Sequence, residues 1–223
     1  MELLNHLTWQ DALIYGLGFF AQSLFGARTI IQWVKSEREG RVVSPTLFWI
    51  FSLNGCFLFL IYGVLRNDIV ILFGQTISFY IYIRNLQLKG FWKKIPFFLR
   101  GLILPLPLLL FLWVGHYSPE SFEQTFRNAD FTDRFIIIGS IGQLLLNFRY
   151  LYQWYHSEKV NESILPLGFW VISAVASVMV VVYGIYRHDP VLLVAQGLGL
   201  IAYLRNIYWS LVKLPTLPFR NEK

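Results

Sequence analysis

Charge is scarce in this sequence. Asp, Glu, Lys and Arg make up only 14% of its 223 residues, where a soluble domain carries about a quarter. A surface with so few ions must face lipid over most of its area. Cysteine is scarcer still. Cys56 stands alone, which excludes an internal disulfide and any thiolate metal cage. His6, His116, His156 and His188 are scattered over different loops and form no ligand set. No Gly-rich phosphate loop, HExxH motif or nucleophile elbow occurs. The expectation is therefore no enzyme, no metal and no cofactor. The start, Met1 to Asp11, has neither a basic region nor a small-residue cleavage site, so no secretory signal is expected.

What is present is apolar. The chain is 56% hydrophobic and 18% aromatic, with a mean hydropathy of +0.51. Its net charge of +6 does not point to nucleic acid, because the Lys and Arg cluster in short loops between apolar runs. Seven runs reach the length of about 20 residues that a bilayer requires. They lie near 12–34, 44–65, 68–88, 95–115, 133–155, 165–186 and 189–211. The sequence thus predicts an all-α integral membrane protein of seven transmembrane helices.

Residues 18–85 recur at 139–206 without a gap, with 22 identities over 68 positions. Many identities are polar residues inside apolar runs, where shared hydrophobicity produces few. One three-helix module is built twice. The predicted units are a first repeat at 12–88, a linker with its own span at 89–131, a second repeat at 132–211 and a tail at 212–223. Three spans reverse the side of the membrane, so a lone fourth helix acts as an inversion helix. It leaves two parallel triple-helix bundles in a 3+1+3 arrangement, one of the known transporter plans. Lys35, Arg38, Arg41, Lys89, Lys93, Lys94, Lys159, Lys213, Arg220 and Lys223 gather on one side. Arg66, Arg127, Arg134 and Arg187 lie on the other, diluted by Glu120, Glu123, Asp130 and Asp133. The richer side is expected to be cytoplasmic, with the N-terminus outside and the C-terminus inside.

Ionisable groups inside spans cost about 2.5 kcal/mol or more and mark function by default. Gln22, Arg28, Gln32 and Ser36 fall on one stripe of the first helix, and Gln143, Arg149, Gln153 and Ser157 on its copy. Arg is always charged and offers a planar fork suited to phosphate or carboxylate. The plainer alternatives are snorkelling to headgroups, since Arg28 is about 10 Å of helix from Lys35, or a structural pair with Asp or Glu. Asp68, Gln75 and Tyr82 repeat every seven residues, as do Asp189, Gln196 and Tyr203. Each trio lines one helix face. The alternatives are helix capping for the Asp and interhelical bonding for the Gln. Arg84-Asn85 and Arg205-Asn206 read as headgroup anchors. Pro45 and Pro166 open helices, followed on the same face by Trp49 with Ser52 and Trp170 with Ser173. The Ser-Glu turns after residues 35 and 156 read as solvated.

A proline-opened helix in triple-helix repeats resembles the PQ-loop and SWEET superfamily, although Thr46 and Leu167 stand where its glutamine belongs. The chain is more similar to the lipid A biosynthesis N-terminal domain. The motifs are Gln-Trp-x-x-Ser-Glu at 32–37, Pro-x-x-Phe-Trp-x-x-Ser at 45–52 and Tyr-Gly-x-x-Arg-x-Asp at 62–68. Gly-Gln at 74–75 and Tyr-x-Arg-Asn at 82–85 complete them, and the second copy repeats the set with Ala195 for the glycine. The resemblance implies a bacterial inner-membrane transporter or flippase of alternating-access type. Its cargo would be an anionic lipid-linked sugar, such as a polyprenyl-phosphate-sugar. Arg28 and Arg149 would hold the phosphate, Gln75 and Gln196 would bond the sugar, and Trp49 and Trp170 would stack on it. A facilitator of a small soluble sugar and a scaffold for a membrane glycosyltransferase remain open. Membrane lipid is the expected surrounding, and a monomer or a homodimer fits equally.

Overall fold

Proline fixes where the second helix of each copy begins. Pro45 and Pro166 hold φ at −70° with ψ of 148° and 160°, and neither has an N–H that a first turn would leave unpaired. The first helices end just as locally. Gly40 and Asn161 adopt positive φ of 60° and 52°, the left-handed stop that Gly and Asn tolerate best. The next residues, Arg41 and Glu162, then donate their N–H back to Ser36 and Ser157 carbonyls at 3.2 Å.

The computed structural model describes residues 9–118, 133–188 and 190–212. It consists of α1 (Trp9–Glu39), α2 (Thr46–Leu65), α3 (Ile69–Leu88), α4 (Phe97–Ile103), α5 (Leu106–Tyr117), α6 (Arg134–Val160), α7 (Leu167–Tyr186) and α8 (Pro190–Val212). A 3₁₀ turn, Trp92–Lys94, precedes α4. No strand occurs among the described residues. Asp189, the loop residues Glu120, Glu123, Arg127 and Asp130, and positions 213–223 of the tail lie outside them.

Helix α2, the Phe97–Tyr117 stretch, α6 and α7 are long and apolar enough to cross a membrane among the described residues. The sequence reading expected seven such spans. Helices α1, α3 and α8 carry repeated polar residues within their length. The expected fourth span at 95–115 is divided, with α4 ending at Ile103 and α5 starting at Leu106. Pro105 and Pro107 cannot donate backbone bonds to the preceding turn, which breaks the helix there.

Consecutive helices pack on one another: α1 on α2 and α2 on α3, then α6 on α7 and α7 on α8. The two triplets meet where α1 touches α8 and α3 touches α6, while α5 lies against α3 and α2. A chain of aromatic rings crosses this meeting place. Trp49 lies 5.9 Å from Tyr82, Tyr82 lies 5.3 Å from Tyr150, and Tyr150 lies 5.4 Å from Phe169. Large apolar side chains such as Phe19, Phe73, Trp113 and Leu144 face outward, as lipid contact requires.

Candidate functional site

Four polar members of the repeated motifs in each copy bind a partner in the other copy, along the line where the copies meet. Gln32 Nε2 donates to Asn206 Oδ1 at 2.7 Å, and Asn206 Nδ2 donates back to Gln32 Oε1 at 3.1 Å. The second copy reciprocates. Gln153 Nε2 donates to Asn85 Oδ1 at 2.9 Å, and Asn85 Nδ2 returns a bond to Gln153 Oε1 at 3.1 Å. All four amides are fully buried. Their hydrogen-bonding capacity is largely taken up within the fold, which meets the demand that burial makes on a polar group. Ser36 and Ser157 accept the N–H of Val43 and Ile164 at 3.2 and 3.1 Å. They hold the loops that lead into Pro45 and Pro166.

Two ion pairs repeat the crossing. Arg84 Nε and Nη2 donate to the Glu158 carboxylate at 2.5 and 2.8 Å. Arg205 Nε and Nη2 donate to Glu37 at 2.5 and 3.0 Å. Trp33 and Trp154 orient the same two carboxylates through their indole N–H, at 3.0 and 2.8 Å. The Arg205 bond lowers the Glu37 carboxyl to about 2, assisted by the indole N–H groups beside it. These arginines are therefore not simply headgroup anchors, and the Ser-Glu turns are not simply solvated. A planar fork beside a carboxylate prefers the bidentate pair.

Arg28 and Arg149 lie deeper. They are 6% and 9% exposed. Arg28 Nη1 donates to Ser52 Oγ at 2.8 Å and to Tyr82 Oη at 3.1 Å. Arg149 Nη1 donates to Ser173 Oγ at 3.0 Å. Each serine is held by its own donation to a carbonyl one turn earlier, Phe48 or Phe169, at 2.6 Å. Aromatic faces complete the surround. The Arg28 guanidinium carbon is 4.5 Å from the Phe25 ring and 5.2 Å from the Tyr150 ring. That of Arg149 is 5.1 Å from the same Tyr150 ring and 5.3 Å from Tyr203. Among the described residues, no ion pair with Asp or Glu involves either guanidinium. Arg149 Nε is buried with no hydrogen-bond partner. Snorkelling is thus not what the structure places here, because the guanidiniums turn inward among rings and hydroxyls.

The remaining predicted site residues divide. Trp49 and Trp170 are wholly buried rather than open for stacking. Trp49 Nε1 donates to Ser44 Oγ at 2.8 Å, whereas Leu165 occupies the matching position and Trp170 Nε1 has no partner. Asp68 takes the capping role, accepting from Ile71 N–H at 3.0 Å. Gln196 Oε1 accepts from Ser177 Oγ at 2.7 Å. Cys56 replaces that serine in the first copy, and Gln75 Oε1 is left without a donor. Gln22 and Gln143 stand exposed, away from the buried amides. Asp189 lies outside the described residues.

Tyr150 is the residue that the sequence reading missed. It holds the position of Thr29 in the repeat, so comparing the copies hides it. Its signal is a bulky phenol beside a repeated arginine. At the basic end, a cavity of about 440 Å³ is lined by Lys35, Arg41, Ser44, Lys89, Glu162 and Ser163, among others. No cluster of His, Cys, Asp and Glu able to hold a metal occurs among the described residues.

Relatives give this arrangement a context. The chain is 31% identical to Lipid-A-disaccharide synthase of Chlamydia pneumoniae over 202 residues, which is 87% of this chain and 33% of that protein. It is likewise 31% identical to the synthase of Chlamydia abortus, covering 88% of the chain and 33% of the relative. The Chlamydia felis protein of the same name is 29% identical, with 87% and 33% covered. The chain thus spans about a third of the length of these curated relatives. They carry an enzyme's name, which corrects the expectation of no enzyme drawn from missing catalytic motifs. No solved structure matches the chain. Residues 17–87 and 138–208 each match one family profile, and on that tandem match the chain belongs to the Lipid A Biosynthesis N-terminal domain family.

Proposed function

We propose that this chain binds the phosphate of a lipid-linked sugar between its two bundles and carries it across the bacterial inner membrane. The observation that carries the proposal is the pair Arg28 and Arg149, buried together with no carboxylate partner among the described residues. An unpaired buried charge costs several kcal/mol even after relaxation. Cation–π contacts return only about 0.5–2 kcal/mol. A fold keeps two such groups where an anion completes them. In this reading the divided Phe97–Tyr117 stretch is the fourth crossing of a 3+1+3 plan. The basic end is cytoplasmic. The buried amide pairs and the two crossed ion pairs hold the bundles together there. The exposed amides Gln22 and Gln143 line the approach from the opposite side. A sugar joined to a polyprenyl chain through phosphate or diphosphate has the negative charge and the lipid anchor that this site asks for.

The test is translocation of fluorescent polyprenyl-phosphate-sugar and polyprenyl-diphosphate-sugar in proteoliposomes. An Arg28→Ala, Arg149→Ala double variant of normal abundance should lose at least about tenfold in rate, since each charged hydrogen-bond partner is worth about 1.5–3 kcal/mol. An unchanged rate removes the assigned role.

The relatives' name supports a second reading, in which the unit presents the anionic lipid to disaccharide-forming chemistry. Loss of disaccharide formation in the same variant, with translocation intact, selects that reading.

A further inference from the structure

Arg28 and Arg149 share one ring. Their guanidinium carbons are 5.2 and 5.1 Å from the centroid of Tyr150, so they lie no more than about 10 Å apart. Neither group can give up its proton, and no carboxylate among the described residues offsets either one. The site therefore holds two permanent positive charges close together in a buried setting, where like charges repel strongly. Geometry adds a second count. Arg28 donates through Nη1 to Ser52 and Tyr82, and Arg149 donates through Nη1 to Ser173 with the Tyr203 and Tyr150 hydroxyls beside it. Five N–H donors are available on each. Arg149 Nε is buried and unmatched. Each guanidinium thus retains donors for phosphate oxygens.

We infer that the head group held here bears two negative charges, as the phosphomonoester or diphosphate end of a membrane lipid does, in preference to a singly charged phosphodiester. The inference rests on the reading of this pair as a ligand site. One negative charge leaves the pair with a net positive charge in a buried place, while two neutralise it. Tyr150 links the two charges, since its ring lies within cation–π reach of both guanidiniums.

Short-chain lipids with identical tails test this on the full chain in nanodiscs, read by native mass spectrometry. Didecanoyl phosphatidic acid supplies the monoester, didecanoyl phosphatidylglycerol the diester, and inorganic phosphate the same chemistry without a lipid. The monoester should bind at least about tenfold more tightly than the diester, the scale of one added charge-assisted hydrogen bond. Its advantage should shrink as pH falls from about 7.5 to about 5, because a phosphomonoester takes up its second proton near pH 6. Diester binding should not change. This arm uses the unaltered chain and does not depend on any variant folding. Arg28→Gln or Arg149→Gln should bring the monoester down to the diester level, while Lys35→Gln at the basic end should leave the preference intact. Tight binding of inorganic phosphate alone would assign the site to a free anion and overturn the lipid. Equal binding of the two lipids would overturn the charge count but leave the ligand site standing. Failure of both lipids to bind, or binding undiminished by the double Gln variant, would remove the site and the inference together.

Discussion

Each of the four buried amides Gln32, Asn206, Gln153 and Asn85 answers another across the copies, so none is replaceable alone. Gln32→Leu leaves the Asn206 carboxamide buried without its partner. That should cost about 1–3 kcal/mol and lower the melting temperature of the detergent-solubilised chain. Adding Asn206→Leu should recover part of the loss, since two apolar groups make no demand for bonds. The sequence marked these residues out by their repetition but could not name their partners. Gln32 and Asn206 are 174 positions apart, and a pattern of polar residues carries no distance. Arg84 and Arg205 were misread for the same reason. Their carboxylates belong to the other copy, and nothing near them in the chain announces it.

Helix starts and stops are written locally, which is why α2 and α7 open after the prolines from which the sequence reading began them. The close approach of α6 to α7 is harder to read. It depends on Gly139, where an added Cβ would lie 2.5 Å from Tyr183 Cγ. The matching Gly18 in α1 faces the outer ring atoms of Tyr62 at 2.9 Å instead. A ring edge can swing aside, whereas the root of a side chain cannot. Gly139→Ala should therefore destabilise by about 1–3 kcal/mol, the usual range for overpacking, and Gly18→Ala by less. Parallel thermal unfolding of the two variants checks the order. The copies look equivalent in sequence here, so only the packing separates them. The divided fourth span was half legible. Pro105 and Pro107 stand in plain view in the sequence, but a hydropathy run does not register a missing N–H.

Over the whole molecule, the two copies are tied by crossed carboxylate–guanidinium pairs, and one tie has a defined acid limit. Glu37 titrates at about 2 rather than its ordinary 4.5. A carboxyl lowered on folding contributes stability that is fully present above its unfolded value and lost as pH falls through its folded one. The tie between α1 and α8 should hold at neutral pH and fail progressively from about pH 4.5 to about pH 2. A melting-temperature profile across that window should lose part of its acid slope in Glu37→Gln. Raising salt should have the smaller effect on the buried amide pairs and the larger one on this half-exposed tie.

Tyr150 occupies a place that no symmetric dimer of single modules could fill in the same way. Any side chain near a twofold axis appears twice in such a dimer, and two phenol rings would compete for the one place beside both Arg28 and Arg149. Two threonines, as at Thr29, would offer no ring to either guanidinium. Joining the copies in one chain removed that constraint and let the two faces of the site diverge. In the proposed reading, a head group held beside Arg28 and Arg149 meets a left and a right that differ. An asymmetric head group therefore has one preferred way round.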